Sequence, residues 1–303
     1  MITRDIGAFV SRARTLAHDF GPPTARGAFL VAPDGFRLAA ESARDNRYMA
    51  EHDGFDAARA SDEHRALHRA LAQVVPTICF PGDPDAPDGL FPNNVFATGQ
   101  GRYIVGRMRH AVRQREAARA DIRAFFGGVL DYAEIDLSDQ VHPCELTGAL
   151  VIDRARGIGW CGLSERCDDI GAQLMHEAFG LRATLLFDLA PGEYHTNVVL
   201  AVLAGRAALV CPRGFADPAV VDALVSLYAP HAILLSEAEH AAFAGNAIAL
   251  SHQVAWMSEG AGAALSPATR QALADADFEV RTVPLTAIEA AGGSLRCCVG
   301  ELF

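Results

Sequence analysis

The stretch NVFATGQGRYIVG (94–106) has two apolar, β-branched runs on either side of a turn rich in glycine. Two such runs around a short turn are typical of a β-hairpin. Three later stretches repeat this design: GALVIDRARGIGWCG (148–162), TNVVLAVLAGRAALVC (196–211) and NAIALSHQVAWMS (246–258). The chain therefore contains an internal repeat, and the repeat decides the class of fold.

Each hairpin is followed by a segment with helical spacing and then by another apolar strand. The helical segments are Ala111 to Phe126, Asp168 to Phe179, Pro218 to Tyr228 and Pro267 to Ala276. The closing strands are VLDYAEI, ATLLFDL, AILLS and FEVRTVP. This alternation predicts an α/β fold. A doubly wound α/β sheet, in which the regular spacing is accidental, is the alternative.

Polar residues recur at one phase of this repeat. The first strands of successive units begin near Asn94, Glu145, His195 and Asn246, about 50 residues apart, and the next step reaches Cys297. In a pseudo-symmetric ring of five units, equivalent positions converge on a common axis. The pattern therefore predicts that these five side chains lie close together, although they are remote in sequence.

The composition excludes several classes of function. The chain has 303 residues, and all 26 of its basic side chains are arginine. Without lysine it cannot form a Schiff base or supply the lysine of a G-x-x-x-x-G-K-[ST] phosphate loop. The net charge of −11 argues against nucleic acid as a partner. A coding bias towards arginine accounts for the missing lysine, which we give no positive functional meaning.

The cysteines and the N-terminus predict a reduced, cytoplasmic protein. Seven cysteines form an odd number without framework-like spacing, which is typical of free thiols. The N-terminus has helical rather than signal-peptide character. No apolar run reaches the roughly 18 residues that a membrane span needs. We therefore expect neither a membrane nor a nucleic acid as partner.

Among the thiols, Cys297 is the candidate nucleophile. It ends the segment AAGGSLRC, where the glycines allow close approach of the backbone. Because a cysteine attacks as its thiolate, it needs a nearby cation or base. Arg296 is adjacent in sequence, and His195 is the symmetry-related base. We expect Cys298, with opposite strand parity, and the other cysteines to pack in the core.

Three other side chains suit acid–base or binding roles. His195 lies in GEYHTNVV at the mouth of a strand, as fits a general acid and base. Glu145 precedes an apolar strand, so its carboxylate can orient a histidine or grip a cationic substrate. Asp88 lies in a loop rich in proline and glycine, where most acids are simply solvated. The spacing of the histidines and carboxylates does not support a metal site, and we predict none.

Six segments together resemble the guanidino-group-modifying enzymes, whose fold is known as the pentein fold. PDGLFPNNVF, ELTGALVIDR, GLSERCDDIG, EYHTNVV, FAGNAIAL and GGSLRCC occur in the family's order. The superfamily includes dimethylargininases, arginine deiminases, amidinotransferases and citrulline-utilisation hydrolases. The segment APDGFRLAAESARDNRYM is most similar to the last group, which consists of amidinotransferase-family proteins.

The resemblance implies a five-bladed α/β propeller with pseudo-fivefold symmetry, in agreement with the repeat. We predict an N-terminal helical extension over residues 1–26 and one catalytic propeller domain over residues 27–303. The fifth unit would take a strand from GAFLVAP (27–33), near the N-terminus.

The resemblance also implies roles for individual residues. Cys297 corresponds to the nucleophile, His195 to the general acid and base, and Glu145 to the carboxylate that holds guanidinium and histidine. Asp88 corresponds to an aspartate that contacts the nitrogens of the substrate.

Two arginines correspond to those that hold the α-carboxylate of the substrate in dimethylargininases. Arg166 lies in GLSERCDDIG, which follows the family pattern closely. The correspondence of Arg107 depends on an alignment with the family through Arg113 and Glu116.

The implied reaction is hydrolysis of a C–N bond in a linear amidine. A cysteine attacks the guanidino or ureido carbon of arginine, a methylarginine or citrulline, and ammonia or an alkylamine leaves a thiouronium-type intermediate. This chemistry needs neither a metal nor an organic cofactor. An amidinotransferase and a non-catalytic protein of the same fold are the alternatives. We expect a small amino acid as the partner. Whether two copies of the chain form a homodimer is left open by the sequence.

Three asparagines are expected in the substrate pocket, and two of them stand where related enzymes carry an aspartate. Asn94 stands where dimethylargininases and arginine deiminases carry an aspartate, and Asn197 replaces an aspartate of the deiminases. Asn246, at the same phase of the repeat, is also expected to contact the substrate. Since an amide both donates and accepts, such a pocket suits a neutral ureido group as well as a guanidinium. We hypothesise that citrulline is a candidate substrate.

Overall fold

A computed structural model describes residues 1–49 and 55–303. The strands in this part of the chain are β1 (Ile2–Thr3), β2 (Gly27–Val31), β3 (Thr77–Phe80), β4 (Phe96–Gly99), β5 (Arg102–Val105), β6 (Ala133–Asp136), β7 (Leu150–Asp153), β8 (Ile158–Leu163), β9 (Ala183–Asp188), β10 (Leu200–Leu203), β11 (Ala207–Val210), β12 (Ala232–Leu234), β13 (Val254–Ser258), β14 (Glu279–Val283) and β15 (Gly300–Leu302). The α-helices are α1 (Ile6–Thr15), α2 (Ala57–Leu71), α3 (Ala111–Gln114), α4 (Ala120–Ala124), α5 (Leu146–Ala149), α6 (Asp169–Phe179), α7 (Thr196–Val199), α8 (Pro218–Tyr228), α9 (Glu237–Ala241), α10 (Glu259–Ala264), α11 (Pro267–Asp275), α12 (Thr286–Glu289) and α13 (Leu295–Cys298).

The described strands form five small sheets, with the orders β4-β5-β6, β1-β9-β8-β7, β10-β11-β12, β13-β14 and β15-β2-β3. In four of them an antiparallel pair is extended by a parallel strand that follows a helical segment. The predicted order of hairpin, helix and strand is therefore confirmed for the first three repeats. In the fourth repeat the first run forms only an isolated bridge, between Ile248 and Trp256.

The last sheet joins the two ends of the chain. Strand β15 pairs antiparallel with β2, with Gly300 opposite Phe29, and β2 continues in parallel to β3. The unit that contains Cys297 thus takes its second strand from near the N-terminus, as predicted from the segment GAFLVAP.

The N-terminal residues add to another sheet. Strand β1 pairs in parallel with β9, and Asp5 caps α1 by accepting from the Ala8 amide at 2.9 Å. Phe9 of α1 packs edge-on against Trp160 of β8, with 5.0 Å between ring centroids. These residues therefore share the largest apolar core of the molecule. The domain boundary at residue 26 stays a prediction.

Short helical turns lead into the first strands of four units. The 3-10 turn Pro92–Asn94 precedes β4, and α5, α7 and α13 precede β7, β10 and β15. Glu145 and His195 are the N-cap residues of α5 and α7, and Cys297 lies within α13. Contacts of the 3-10 turn with α5 and α13, and of α5 with α7, bring the repeat-phase residues together. No helix in the described ranges is both long enough and apolar enough to cross a bilayer.

Candidate active site

A cavity of about 310 Å³ lies where these turns meet. Five residues of the sequence-based prediction line it: Asp88, Asn94, Arg166, His195 and Cys297. Its lining combines carboxylate, amide, guanidinium, imidazole and thiol groups, which suits a small polar molecule.

His195 and Glu145 form a buried pair behind this cavity. Nε2 of His195 lies 2.8 Å from Oε2 of Glu145. Burial alone would raise the pKa of Glu145, but the charge of Arg166 and the hydrogen bond from His195 hold it well below its usual range. Burial lowers the pKa of His195 although the carboxylate opposes this. At neutral pH a neutral imidazole therefore donates its Nε2–H to an ionised carboxylate.

The other ring nitrogen of His195 is an unpartnered base. Its Nδ1 has no hydrogen-bond partner among residues 1–49 and 55–303. Gly148 packs against the ring, where a Cβ atom would lie 2.9 Å from Nδ1 and 2.6 Å from Oδ1 of Asn94. The ring holds this position because residue 148 has no side chain. Since Nε2 carries the hydrogen, Nδ1 is the atom that can accept a proton.

The sulfur of Cys297 is held between two asparagines. Nδ2 of Asn246 donates to Sγ at 3.3 Å, and Oδ1 of Asn197 lies 3.9 Å from the same sulfur. Burial raises the pKa of Cys297, and the hydrogen bond from Asn246 only partly offsets this. Arg296 pairs with Glu301 at 2.8 Å and does not contact the thiol. Without substrate, the group is therefore a thiol rather than a thiolate at neutral pH.

Arg166 lines the cavity, but its guanidinium is already engaged. It donates to the two carboxylate oxygens of Asp45 at 2.7 and 2.8 Å, and to Glu145 at 3.3 Å. It also donates to the carbonyl of Ser42 at 3.1 Å. Arg166 thus keeps Glu145 ionised and ties the segment 41–49 to the site. Its predicted contact with a substrate carboxylate stays a prediction.

Asp88 lies beneath the same segment. Its carboxylate accepts from Oγ of Ser42 at 2.5 Å, and the side chain is buried. One carboxylate oxygen is therefore bound to the segment 41–49 before any substrate arrives.

Arg107, predicted to bind the substrate, is not among the residues that line this cavity. Its Nη1 donates to the carbonyl of Ser138 at 2.8 Å, and its backbone bridges to Cys144. Arg113 lines the cavity instead and is buried. Its guanidinium binds both oxygens of Glu116, at 2.8 and 2.9 Å. The spacing of Arg113 and Glu116, three apart on a helical turn, was the signal in the sequence.

The segment 41–49 borders the site, although no sequence pattern predicted this. Besides Ser42 and Asp45, it contributes Asn46, whose Nδ2 donates to the carbonyl of Gly292 at 3.3 Å. Tyr194 donates to the same carbonyl at 2.5 Å from the other side. The segment has no regular periodicity, and only the family-like wording ESARDNRYM pointed to it.

A profile of the family described as "N,N dimethylarginine dimethylhydrolase, eukaryotic" matches residues 32–303. No curated protein sequence matches the chain.

Solved structures share the fold. The substrate-bound N-terminal domain of ArgZ, an arginine dihydrolase from the ornithine–ammonia cycle in cyanobacteria, has a TM-score of 0.78 and 21% identity, covering 91% of this chain and 97% of that one. AgrE in complex with ornithine and NAD+ has a TM-score of 0.79 and 22% identity, covering 91% of this chain and 39% of that one. A dimethylarginine dimethylaminohydrolase adduct with S-methyl-L-thiocitrulline has a TM-score of 0.68 and 19% identity, covering 91% and 99%.

Proposed function

The chain belongs to the N,N-dimethylarginine dimethylhydrolase family and is a cysteine-dependent guanidino hydrolase acting on arginine derivatives; we propose that Cys297, His195 and Glu145 carry out its reaction. One observation supports this most strongly. Cys297 and His195 line one cavity, Nδ1 of that histidine has no partner among the described residues, and the buried carboxylate of Glu145 holds the other ring nitrogen.

Activation of the thiol comes first. A guanidinium in the cavity places a positive charge beside Cys297, and a nearby positive charge favours the thiolate. His195 takes the thiol proton, since its Nδ1 is the available base. The thiolate then attacks the guanidinium carbon, and the buried polar walls fix the two groups in reacting geometry.

Release of the amine and hydrolysis follow. The imidazolium of His195 gives its proton to the departing nitrogen, and the C–N bond breaks to leave a thiouronium carbon bound to Sγ. His195 then deprotonates a water molecule that attacks this carbon. The C–S bond breaks as the C=O bond of the product forms, the hydroxyl proton passes to solvent, and the proton held by His195 returns to the thiolate. Throughout, the ionised Glu145 stabilises the charged imidazole.

For the substrate, we propose an arginine-type amino acid, with its guanidinium between Asp88 and Asn94. Asp88 offers a buried carboxylate, and Oδ1 of Asn94 is a buried acceptor with no partner in the described chain. Both atoms accept N–H groups, which is what a guanidinium donates. An arginine dihydrolase and a dimethylarginine dimethylaminohydrolase share the fold, which is consistent with this substrate class.

Citrulline is the second candidate, favoured by the amides. Asn94 lines the cavity, and its amide can donate to a ureido oxygen as well as accept N–H groups. Asn197 lies beside the thiol, with its Oδ1 3.9 Å from Sγ of Cys297. A carboxylate at this position or at Asn94 would repel that oxygen. We therefore propose that the pocket is less selective for cations than one lined only by carboxylates.

A substrate panel tests both candidates. Arginine, monomethylarginine, dimethylarginine and citrulline are incubated separately, and ammonia, methylamine, dimethylamine, citrulline and ornithine are measured. We expect amine release and formation of citrulline or ornithine. No amine release from any of the four would contradict the proposed reaction, and turnover of methylated substrates alone would contradict the proposed pocket.

The variant Asn94→Asp sharpens the second candidate. By restoring a negative charge, it should lower turnover of citrulline relative to arginine, roughly tenfold if one charged contact is involved. An unchanged ratio would exclude Asn94 as the reason for ureido binding. Adding an acceptor amine such as glycine separates hydrolysis from amidino transfer, because only a transferase forms a new guanidino product.

Three further expectations also remain proposals. We infer that the five sheets are blades of one pseudo-symmetric propeller, since four of them share one strand pattern. A cytoplasmic location is supported by seven free cysteines. A homodimer stays a prediction, for which sedimentation is the direct measurement.

A further inference from the structure

A second cavity, of about 510 Å³, is lined in part by Asn197, whose Oδ1 lies 3.9 Å from the sulfur of Cys297. Its lining does not include Cys297, His195 or Glu145. Residues of four units converge on it, among them Arg154, Asn197, Leu200, Ile248, Arg296 and Glu301. The reaction proposed above gives this cavity no role.

Arg154 is the unusual side chain of this cavity. It is only 8% exposed, yet within residues 1–49 and 55–303 its guanidinium has no hydrogen bond and no carboxylate within 4 Å. Its flat face lies over Phe303, with 4.1 Å to the ring centroid, and more distantly over Phe179. Burial lowers the pKa of Arg154 to about 10. A buried cation without a partner is costly, so this side chain favours the binding of an anion.

The charges around the cavity define that anion. Arg296 is paired with Glu301 at 2.8 Å, so these two side chains nearly cancel. Arg154 then leaves one net positive charge. Walls formed by Leu200 and Ile248 are apolar and buried. The planar fork of an arginine matches a carboxylate in two-point hydrogen bonding.

We propose that this cavity binds a small organic monocarboxylate, with its carboxylate on Arg154 and its short apolar body against Leu200 and Ile248. The single net charge favours a monoanion over sulfate or phosphate. The proposal does not rest on the proposed function, because none of the three proposed catalytic residues takes part.

Titration calorimetry with sodium valerate tests it, on the full chain carrying Cys297→Ser and with saturating arginine. The serine prevents turnover, and the arginine keeps the first cavity occupied. We expect one site per chain, and at least tenfold weaker binding in Arg154→Met, which loses the charged hydrogen-bond donor. Arg296→Gln should weaken binding to a similar extent, because Glu301 loses its partner and its charge then offsets that of Arg154. Sodium sulfate should bind more weakly than valerate.

Two controls keep the result decisive. Arg102 lines a neighbouring cavity that also touches Arg154, so Arg102→Gln should leave valerate binding unchanged. If Arg102→Gln abolishes binding while Arg296→Gln does not, the anion occupies the neighbouring cavity and the proposal is wrong. Arg154→Met should melt no lower than the parent without valerate, since it removes an unpaired buried charge, and valerate should raise only the parent's Tm. Equal binding to the parent and Arg154→Met would also overturn the proposal.

Discussion

Nε2 of His195 donates to Oε2 of Glu145 over 2.8 Å, and Nδ1 of the same ring has no partner among the described residues. This relationship fixes the tautomer, because the ionised carboxylate accepts the only ring hydrogen. The basic nitrogen is therefore left for chemistry in the cavity.

Replacing Glu145 with Gln should slow the reaction much more than it weakens binding. The amide can offer its own N–H to Nε2, which favours the wrong tautomer, and it no longer stabilises an imidazolium. General acid–base catalysis contributes roughly 10²–10⁴-fold, so kcat should fall within that range. Steady-state kinetics measure this. A change confined to KM would show that Glu145 only binds substrate.

Replacing Cys297 with Ser should abolish turnover while the protein stays folded. The matched control is Cys298→Ala, since Cys298 is also buried in α13 but its sulfur donates to the Ser294 carbonyl at 3.5 Å. We expect the control to retain most of the activity. Mass spectrometry of the acid-quenched parent should show substrate-derived mass on the peptide of Cys297. Label on Cys298 instead would reverse the assignment.

Replacing Gly148 with Ala should impair catalysis through the position of His195. A Cβ atom there would lie 2.8 Å from Cε1 of the ring and 2.6 Å from Oδ1 of Asn94, so the ring must move. Overpacking of this kind costs typically about 1–3 kcal/mol. Gly128→Ala is the control, because nothing lies within 4 Å of its Cβ position. The melting temperature and kcat should fall for Gly148→Ala and stay unchanged for Gly128→Ala. Equal kcat in both variants would contradict the close packing.

Alkylation of Cys297 should depend on pH as a thiol with a raised pKa does. Burial raises this pKa, so below it the reactive thiolate is a minor species and its fraction grows about tenfold per pH unit. We expect the iodoacetamide rate at Cys297, followed by peptide mapping, to rise continuously from pH 7 past pH 9. A plateau reached by pH 7 would mean that the substrate-free enzyme already holds a thiolate.

The repeat explains why so much of the fold was predictable. Apolar runs around glycine-containing turns are local signals, and β4 with β5, or β7 with β8, form as that pattern indicates. The phase of Glu145, His195 and Cys297 in the repeat then places them at equivalent turns. Those positions follow from chain spacing and need no knowledge of tertiary contacts.

Other parts of the site depend on contacts that no local pattern encodes. Asp45 reaches Arg166 across 121 residues of sequence, and nothing near Asp45 predicts that partner. The predicted continuous helix over 111–126 is broken into shorter α, 3-10 and π turns. Arg113, in the first of these turns, lines the cavity, whereas Arg107 does not.

The pairing of β15 with β2 affects how this enzyme comes into being. Strands separated by about 270 residues must meet, and pairing at such long range is slow to form. The turn that carries Cys297 immediately precedes β15, so its position is fixed only after residues 300–302 have left the ribosome. During synthesis the nascent chain therefore carries the histidine and the carboxylate before the nucleophile takes its place beside them. Catalytic competence arrives in one late step, when the two distant strands close.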